Sequence, residues 1–585
     1  MMNQWIRKPK ATILALLVLA LAFAVACGAA ATATPAPAAP KAPVAAAPAA
    51  PVAPAAAATA VPTAAPRPTP APVAKPKVER LIVAWSPLGY ETNLPWAATA
   101  VGALQQRPIL ETLVGVDQVT GAHIPMLATK WEVAPDGKRW TFWLKEKAPW
   151  HFGLGEFSAK DVVHSWQRIT AEDSIASDAG IWKSLVAKAE DFKTITDHQL
   201  EVNLKRVEPD LDFSYAVRTG NMLITSKAQW DNEGKVGMER RLSGTGPYQF
   251  KERKLGEYIL YERVANHWRV TPEYKELMWR FVPEDSTRLA MALAREAHII
   301  DLPRDLQGQA LGKGLKLVSS KLPGLQHQWM FGGLYFSTPD KLDPKLPFVN
   351  KKVREAMNRA VNRKEIIDTI FQGRAEPVRV FAYHPSVEGW DPQWEKRFSE
   401  LYGYDPKKAK ALLAEAGYPN GFKAKLYLYP WSGFSEIIQV GEALGLYFQA
   451  IGIQVELEQL EFSKVRDLYR KRDIHGAMWG LPGTLRPPYV TSTLYYNTGP
   501  AGVARAYEHA FIDQKHDELA KTIDRAERAR IQREIGNHLF EEYASVPIVW
   551  ISNEIIVDPA QVADYTFPGN ITGFLTHLEY VKPVK

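Results

Sequence analysis

The chain has 585 residues, of which 46% are hydrophobic and 23% charged, and its formal net charge is +7. Seven of its 71 basic side chains precede residue 79, where no acidic residue occurs, so the 64 that follow equal the 64 Asp and Glu in number. The part that folds is therefore neutral, which argues against a nucleic-acid groove, because such a groove needs a cationic face on the folded domain. A basic N-terminal arm instead suits a membrane surface that carries anionic lipids.

Residues 1–27 are typical of an export signal, because three basic residues precede an uncharged apolar run over residues 11–26. The run is shorter than the roughly 20 residues of a spanning helix. Cys27 is the single cysteine and cannot form an internal disulfide. Its position directly after Ala24-Val25-Ala26 predicts a lipobox, in which the cysteine carries a lipid and becomes the mature N-terminus. Ordinary cleavage beside an idle cysteine and an uncleaved anchor helix are the alternatives.

Residues 28–78 predict a disordered spacer. The segment has almost no aromatic or branched apolar side chains, and proline recurs every few positions. It cannot bury enough apolar surface to offset its ordering entropy, and its prolines favour an extended chain at ~3.1 Å per residue. A ligand motif for a recognition domain is the alternative, but no acidic or aromatic pattern marks one.

Strand patterns beyond the spacer indicate a mixed α and β chain that is too long for one hydrophobic core. Apolar and polar residues alternate over Leu200–Leu204 and over Ile453–Leu457, so each predicts a half-buried strand. Pro135-Asp136-Gly137 predicts a turn into a further strand with Trp140 on its buried face. The GTGPY segment at 244–248 predicts a glycine-permitted turn rather than a phosphate-binding loop, since its spacing does not match one.

Helix signals lie between these strands. Asp405 predicts an N-cap, Pro406 the first helical position, and Gly417 the stop. Ser158 and Asp161 have the spacing of a capping box before an apolar helical face. From about residue 351 onward helices alternate with strands, which predicts a βα-type lobe with its own sheet.

Enzyme signatures do not occur beyond the leader. The sequence has no GxSxG, HExxH or GxxxxGK[ST] pattern and no cysteine nucleophile. His509, His516, Asp517 and Glu518 could supply metal ligands, although a solvated helical face is the commoner explanation of such a run. We therefore expect no metal and no cofactor, and a binding protein rather than an exported hydrolase. A sensor or chaperone that takes no part in transport is a further alternative.

Five ordered segments carry a family resemblance. They are Ile109–Ile169 (ILETLVGVDQVTGAH…), Ser243–Trp268 (SGTGPYQFKERKLGEYILYERVANHW), Val353–Ile367 (VREAMNRAVNRKEII), Tyr404–Phe422 (YDPKKAKALLAEAGYPNGF) and Gly445–Leu457. In this order they resemble the family 5 extracellular solute-binding proteins that serve peptide and nickel ABC importers. The resemblance covers nearly all of the chain after the spacer.

The resemblance implies an α/β, two-lobed periplasmic-binding-protein fold of the large class II type, with the ligand enclosed between lobes by hinge closure. The expected domains are the signal 1–27, the spacer 28–78, lobe I over 79–330 completed by 550–585, and lobe II over 331–549. The implied function is capture of a peptide-like or other polar organic solute and delivery to ABC permease subunits in the membrane. The chain is then expected to be a monomer anchored on the outer face of the cytoplasmic membrane, without nucleic-acid partners.

The resemblance also points to ligand-binding residues. The segment His475–Tyr489 resembles the cleft loop of the family, and Trp479 followed by Gly480 resembles the nickel-binding branch, where a tryptophan at this place lines the pocket. Trp182 and Trp96 fall near positions whose aromatic residues reach into the cleft, and Trp431 follows a strand of the second lobe. A tryptophan is otherwise more often a core residue than a site residue.

One departure from the family concerns the ligand. Peptide-binding members have an aspartate in the cleft loop that receives the free ammonium group of the peptide, whereas residues 476–492 contain no acid. A buried ammonium without an anion is costly. The sequence therefore argues against binding through a free N-terminus, and Arg486 could meet a carboxylate or phosphate unless it is an exposed arginine beside Pro487 and Pro488.

Overall fold

A computed structural model describes residues 78–99, 102–216, 222–431, 434, 436–499, 505–568 and 575–585. The predicted signal with Cys27 and the predicted spacer up to residue 77 lie outside the described residues. Within the described ranges, no helix combines the length and the apolar character needed to cross a bilayer.

The elements before residue 316 comprise eleven short strands and six α-helices, among the residues that the structure describes. They are β1 (Arg80–Trp85), β2 (Val114–Val116), β3 (His123–Pro125), β4 (Ala128–Val133), β5 (Arg139–Leu144), α1 (Ala159–Ile169), α2 (Ala179–Leu185), β6 (Phe192–Thr196), β7 (Gln199–Asn203), α3 (Leu211–Tyr215), α4 (Lys227–Arg240), β8 (Tyr248–Lys254), β9 (Tyr258–Arg263), β10 (Glu276–Phe281), α5 (Asp285–Leu293), β11 (Ile299–Ile300) and α6 (Arg304–Gly312).

The elements from residue 316 onward are richer in helix. They are β12 (Lys316–Phe331), β13 (Leu334–Tyr335), α7 (Lys351–Arg359), α8 (Arg363–Thr369), β14 (Ala375–Pro377), α9 (Pro392–Tyr402), α10 (Pro406–Glu415), β15 (Lys423–Leu428), α11 (Ile437–Ala450), β16 (Gln454–Gln459), α12 (Phe462–Lys471), β17 (Ala477–Thr484), α13 (Pro488–Tyr495), β18 (Tyr507–Glu508), α14 (Ala510–Leu519), α15 (Arg525–Glu541), β19 (Ser545–Val557), β20 (Val562–Asp564) and β21 (Lys582–Pro583).

Two large hydrophobic cores define two lobes. The core of the first lobe contains buried side chains from residues 81–299 and, after the chain returns, from 555–581. The core of the second lobe contains buried side chains from residues 329–551. The four-stranded antiparallel sheet β4-β5-β7-β6 belongs to the first lobe. The expected two-lobed α/β fold is confirmed.

One sheet runs through both lobes. Its strand order is β16-β15-β17-β12-β19-β11-β1-β10-β9-β8, and β14 adds to β19 at the side. The long strands β12 and β19 pair antiparallel from Lys316 opposite Val557 to Met330 opposite Ser545. These two strands carry the chain from the first core to the second and back.

The β12–β19 ladder is interrupted in its middle. Register shifts flank Pro323, which pairs with Ser552, and proline has no N–H for a ladder hydrogen bond. A side chain at Gly324 would overlap the side-chain amide of Asn553, which would have to move aside. This interruption is the place where the ladder can bend most easily.

The helix signals are confirmed by the capping contacts. The side chain of Asp405 accepts from the Lys408 N–H at 2.8 Å and Pro406 opens α10, while Gly417 adopts a φ of +93° beyond its end. Asp161 accepts from the Ser158 N–H at 2.9 Å, which completes the capping box of α1.

The strand patterns are confirmed in type but not everywhere in burial. Leu200 and Val202 on β7 are fully buried, and Trp140 lies on the buried face of β5. β16 forms as predicted and pairs parallel with β15 across α11, as a βαβ unit requires. The expectation that Leu457 is buried is wrong, because β16 is an edge strand and Leu457 remains 44% exposed.

The GTGPY segment packs closely against the backbone of a neighbouring segment, as expected for a turn that contains glycine. A side chain at Gly244 would overlap the carbonyl oxygen of Ile109, and one at Gly246 would also meet that carbonyl. Thr245 between them donates to the Glu111 carboxylate at 2.9 Å. The two glycines therefore let this turn pack against the backbone of residues 108–111.

We expect Gly244→Ala to lower the free energy of unfolding by about 1–3 kcal/mol or more, because the new methyl group overlaps backbone that cannot move aside. Gly308→Ala is the matched control, since α6 leaves open space at that position and alanine favours a helix. Urea unfolding of both variants measures the difference. Equal stability of the two variants would contradict the close approach at Gly244.

Candidate ligand-binding cleft

A segment of the first lobe reaches across to the second. Residues 206–213, here called the strap, follow β7 and are tied to the β4–β5 hairpin of their own lobe. Trp140 Nε1 donates to the Glu208 carbonyl at 2.9 Å, and the Glu208 N–H donates to the Gly137 carbonyl at 3.1 Å. The first lobe therefore fixes the strap at Glu208, and the residues that follow Glu208 in the strap contact the second lobe.

The far end of the strap enters an apolar cluster between the lobes. Phe213 packs with Val378, Leu485 and Trp550, which belong to the second lobe and to β19. All four side chains are at most 8% exposed. Because Leu485 lies in the segment that resembles the cleft loop, this cluster marks the edge of the candidate cleft.

An ion pair joins the strap to α15. Arg528 is 3% exposed and its Nη2 donates to the Asp210 carboxylate at 2.6 Å. Burial raises the pKa of Asp210, and the Arg528 charge acts in the opposite direction. Burial likewise raises the pKa of Glu388, whose carboxylate lies 3.8 Å from Arg528 Nε. The pair is therefore a charged contact in a partly desolvated interface.

A second group of charges joins the lobes beside the crossing strands. Arg304 on α6 lies 2.9 Å from the Glu436 carboxylate and 3.0 Å from that of Glu554 on β19. Arg374 donates to Glu554 at 3.0 Å and to Gln307 at 2.7 Å. Since α6 belongs to the first lobe and Glu436 precedes α11 of the second, these contacts tie the lobes together near the hinge.

Trp479 and Gly480 lie on β17 inside the second lobe. Trp479 is fully buried and stacks on Tyr469 with ring centroids 5.7 Å apart. Tyr429 Oη donates to the Gly480 carbonyl. A side chain at Gly480 would meet His327 Nε2 and Ile437, so packing alone already accounts for a glycine there.

Trp431 lies close to this pair. It is half-buried three residues after the end of β15, and its ring centroid lies 4.6 Å from that of Phe462 and 6.4 Å from that of Tyr429. Tyr429 thus connects Trp431 to the backbone of Gly480. The structure therefore brings two of the predicted site residues, Trp431 and Gly480, together at Tyr429.

Trp182 and Trp96 lie in the core of the first lobe. Trp182 is fully buried and its ring lies 4.7 Å from that of Tyr215, at the end of α3 and beside the strap. Trp96 is 1% exposed, and the guanidinium of Arg168 lies 4.9 Å from its ring. Among the described residues, no ring contact joins these two tryptophans to Trp431 or Trp479.

The indole N–H groups of Trp96, Trp182 and Trp479 are buried without an acceptor in the described structure. Buried indoles usually find one, so such groups are candidates for contacts to a ligand. The same is true of Trp166 and Trp329, which were not predicted as site residues. An unsatisfied indole therefore does not by itself mark the site in this protein.

Arg486 follows the end of β17 and is half-buried beside the apolar cluster. Its Nε donates to Thr484 Oγ1 at 2.8 Å. No carboxylate of the described residues lies within salt-bridge distance of its guanidinium, whereas Arg304, Arg374 and Arg528 are all paired. Arg486 thus contributes a positive charge at the edge of the candidate cleft, with no counter-ion among the residues that the structure describes.

His327 is a buried polar residue that the sequence reasoning missed. It lies on β12, fully buried, and neither ring nitrogen has a hydrogen-bond partner in the described part of the chain. Burial lowers the pKa of His327 to about 3, so the ring is neutral. Its ring lies 4.8 Å from that of Phe434 and directly against Gly480. No local sequence pattern marks it, since it follows from the pairing of β12 with β17.

The histidines considered as metal ligands have other contacts. His509 caps α14 by accepting from the Phe511 N–H, and His516 lies 2.6 Å from Thr493 Oγ1 and stacks on Tyr489. The described residues contain no group of three or more His, Cys, Asp or Glu that could hold a metal ion.

A cavity inside the first lobe does not coincide with the predicted site. It is lined by Arg107, Glu111, Trp279 and Glu579 among others, and its volume is about 40 Å³. Glu111 and Glu579 are both paired with Arg269, at 2.9 Å and 3.0 Å. The ion pairs belong to the contact that fastens the C-terminal segment to the first lobe.

We expect Trp479→Ala to lower the free energy of unfolding by about 3–5 kcal/mol, because it removes a fully buried indole that stacks on Tyr469. Trp431→Ala is the comparison and has a smaller effect, since that side chain is half-buried. Chemical denaturation of both variants checks the order. A loss for Trp479→Ala no larger than that for Trp431→Ala would contradict the core position.

Comparison with known proteins identifies the family. The sequence profile of the bacterial extracellular solute-binding proteins, family 5 Middle, matches residues 122–502. Heme-binding protein A of Haemophilus influenzae is 26% identical over 494 residues, which cover 80% of this chain and 85% of that protein. The nickel-binding periplasmic protein of Escherichia coli is 27% identical over 538 residues, covering 87% and 95%.

A solved structure supports the same fold. The structure of HbpA2 from Haemophilus parasuis superposes with a TM-score of 0.72 at 19% sequence identity, covering 86% of this chain and all of that one. The family and these relatives consist of binding proteins rather than enzymes, and they place the protein outside the cytoplasm. The chain belongs to family 5 of the bacterial extracellular solute-binding proteins.

Proposed function

We propose that this protein is a lipid-anchored receptor that captures a small polar solute with an anionic or neutral head group between its lobes and passes it to a membrane permease. The relatives bind, by their names, ligands as different as heme and nickel. The ligand class must therefore be argued from this chain's own residues.

The charge of Arg486 carries the proposal. Its guanidinium lies beside the apolar cluster of the cleft edge, and its terminal nitrogens have no carboxylate partner among the described residues. Arginine binds carboxylates and phosphates through charge-assisted, often bidentate hydrogen bonds. A ligand anion at this place would complete a charge pair that the protein leaves open.

The carboxylates at the lobe interface also favour a ligand with an anionic or neutral head group. Asp210 is paired with Arg528, Glu208 lies 2.8 Å from Arg206, and Glu554 is paired with Arg374. A ligand ammonium at any of these carboxylates would compete with an arginine that is already paired there. A peptide with a free N-terminus is therefore the less favourable ligand.

The remaining assignments complete the proposal. We infer a monomer without catalytic activity, anchored through Cys27, with the spacer 28–78 giving the folded part reach from the membrane. Lobe I is assigned to 79–330 with 550–585, and lobe II to 331–549. The proposed ligand contacts are Trp479, Gly480, Trp182, Trp96, Trp431 and Arg486.

Cys27→Ser should release the protein from the membrane, because serine cannot take the thioether-linked lipid. Fractionation of expressing cells, with mass spectrometry of the N-terminus, measures this. Ala26→Ser, which leaves the thiol in place, is the comparison. A Cys27→Ser protein that stays membrane-bound at full length would show an uncleaved anchor helix instead.

Arg486→Gln should weaken binding of an anionic ligand by roughly 10- to 100-fold, the range for losing one hydrogen-bonded charge partner. Arg470→Gln is the matched control, since Arg470 is an exposed arginine on α12 and its loss removes the same charge. Calorimetry of solutes recovered from the unfolded protein, and of a peptide library with and without N-acetylation, gives the affinities.

Two outcomes would overturn the ligand class. Tight peptide binding that disappears on N-acetylation would place the ammonium on an acid elsewhere in the cleft. Equal affinity of the Arg486→Gln and Arg470→Gln proteins for an anionic solute would remove Arg486 from the site. Steady chemical turnover by the pure protein would overturn the assignment as a binding protein.

A further inference from the structure

We propose that the strap, residues 206–213, is a latch that holds the two lobes together without any ligand, and that the Asp210–Arg528 ion pair is its central contact. The inference goes beyond solute binding, because it concerns the shape of the empty protein. It rests on the two-lobed fold and not on the proposed ligand.

The strap is attached to the first lobe and contacts the second. Its first part is fixed to the β4–β5 hairpin through Trp140 and Gly137, so it cannot swing away from the first lobe. Val207 and Ile523 both lie against Gly137, which brings the loop before α15 onto the same hairpin. The contact to the second lobe therefore starts before the ion pair and continues beyond it.

The ion pair is desolvated on the arginine side. Arg528 is 3% exposed, its Nη1 donates to the Thr522 carbonyl at 3.2 Å, and its guanidinium lies 5.6 Å from the ring of Tyr489. Opening the lobes would take Asp210 away and leave Glu388, at 3.8 Å, as the nearest carboxylate. A buried arginine that loses its closest partner is strongly disfavoured, so the pair resists opening.

The other charged side chains around the strap have contacts of their own. Asp212 lies 2.6 Å from His123 Nδ1, and Glu208 lies 2.8 Å from Arg206. Arg525, one turn before Arg528 on α15, is 90% exposed and lies 3.7 Å from Glu388. Among these groups, Asp210 and Arg528 form the close pair that crosses from one lobe to the other.

The apolar end of the strap adds to the same contact. Phe213 is buried with Val378, Leu485 and Trp550 and would be exposed to water if the lobes separated. A latch at the strap therefore controls the edge of the cleft that lies beside Arg486.

A latch of this kind sets how much of the empty protein is closed. A ligand shifts the open–closed equilibrium only by its differential affinity for the two shapes, so contacts between the lobes themselves fix the starting population. Removing the Asp210–Arg528 pair should populate an open form in the absence of ligand.

The test measures the distance between the lobes in ligand-free protein. Spin labels are placed at Thr194→Cys on β6 and Lys410→Cys on α10, both exposed, in the full chain with Cys27→Ser so that no other thiol is present. The protein is unfolded and refolded to remove bound solute, and pulsed dipolar spectroscopy records the distance distribution.

Arg528→Gln should add a second distance population to the single one of the parent protein, whereas Arg525→Gln, the exposed arginine on the same helix, should leave the distribution unchanged. Asp210→Asn removes the other half of the pair and should act like Arg528→Gln. If Arg528→Gln does not fold, Asp210→Asn decides, because its side chain is 22% exposed. Unchanged distributions in the folded pair variants, or an equal change with Arg525→Gln, would overturn the latch.

Discussion

The antiparallel pairing of β12 with β19 is the constraint on which the other parts of the molecule depend. Because the chain enters the second lobe on one of these strands and leaves it on the other, both cores are built on the same two strands and share one sheet. Register shifts around Pro323 interrupt this ladder between the two cores, so the shared strands can bend most easily there.

A fixed hinge determines which side chains can face each other across the cleft. The strap meets α15 and the segment after β17, while α6 meets the loop before α11. In both contacts, arginines pair with carboxylates that are partly or fully shielded from water. Such pairs contribute little to net stability compared with apolar contacts of similar size, but they penalise separation when one partner stays buried. They therefore influence the equilibrium between shapes more than the fold.

Local elements were predictable from sequence because their causes are local. The cap at Asp405, the capping box at Ser158 and the alternation over Leu200–Leu204 each depend on residues within one or two turns. The exposure of Leu457 and the pairing of Asp210 with Arg528, 318 residues away, depend on which strands and lobes become neighbours. No short window of the sequence contains that information, and the cleft is made almost entirely of contacts of this second kind.

The segment His475–Tyr489 shows how far a family resemblance can specify a site. Most of the segment is β17, a central strand paired with β12 and β15, so its alternating side chains enter the core on both faces. Trp479 packs on Tyr469 on one face, and Gly480 accommodates His327 on the other. Only after the strand ends at Thr484 is a charged side chain left at the lobe interface, and that side chain is Arg486. The strand supplies a rigid support, and the chemistry that selects a ligand must come from the residues that follow it and from the lobe opposite.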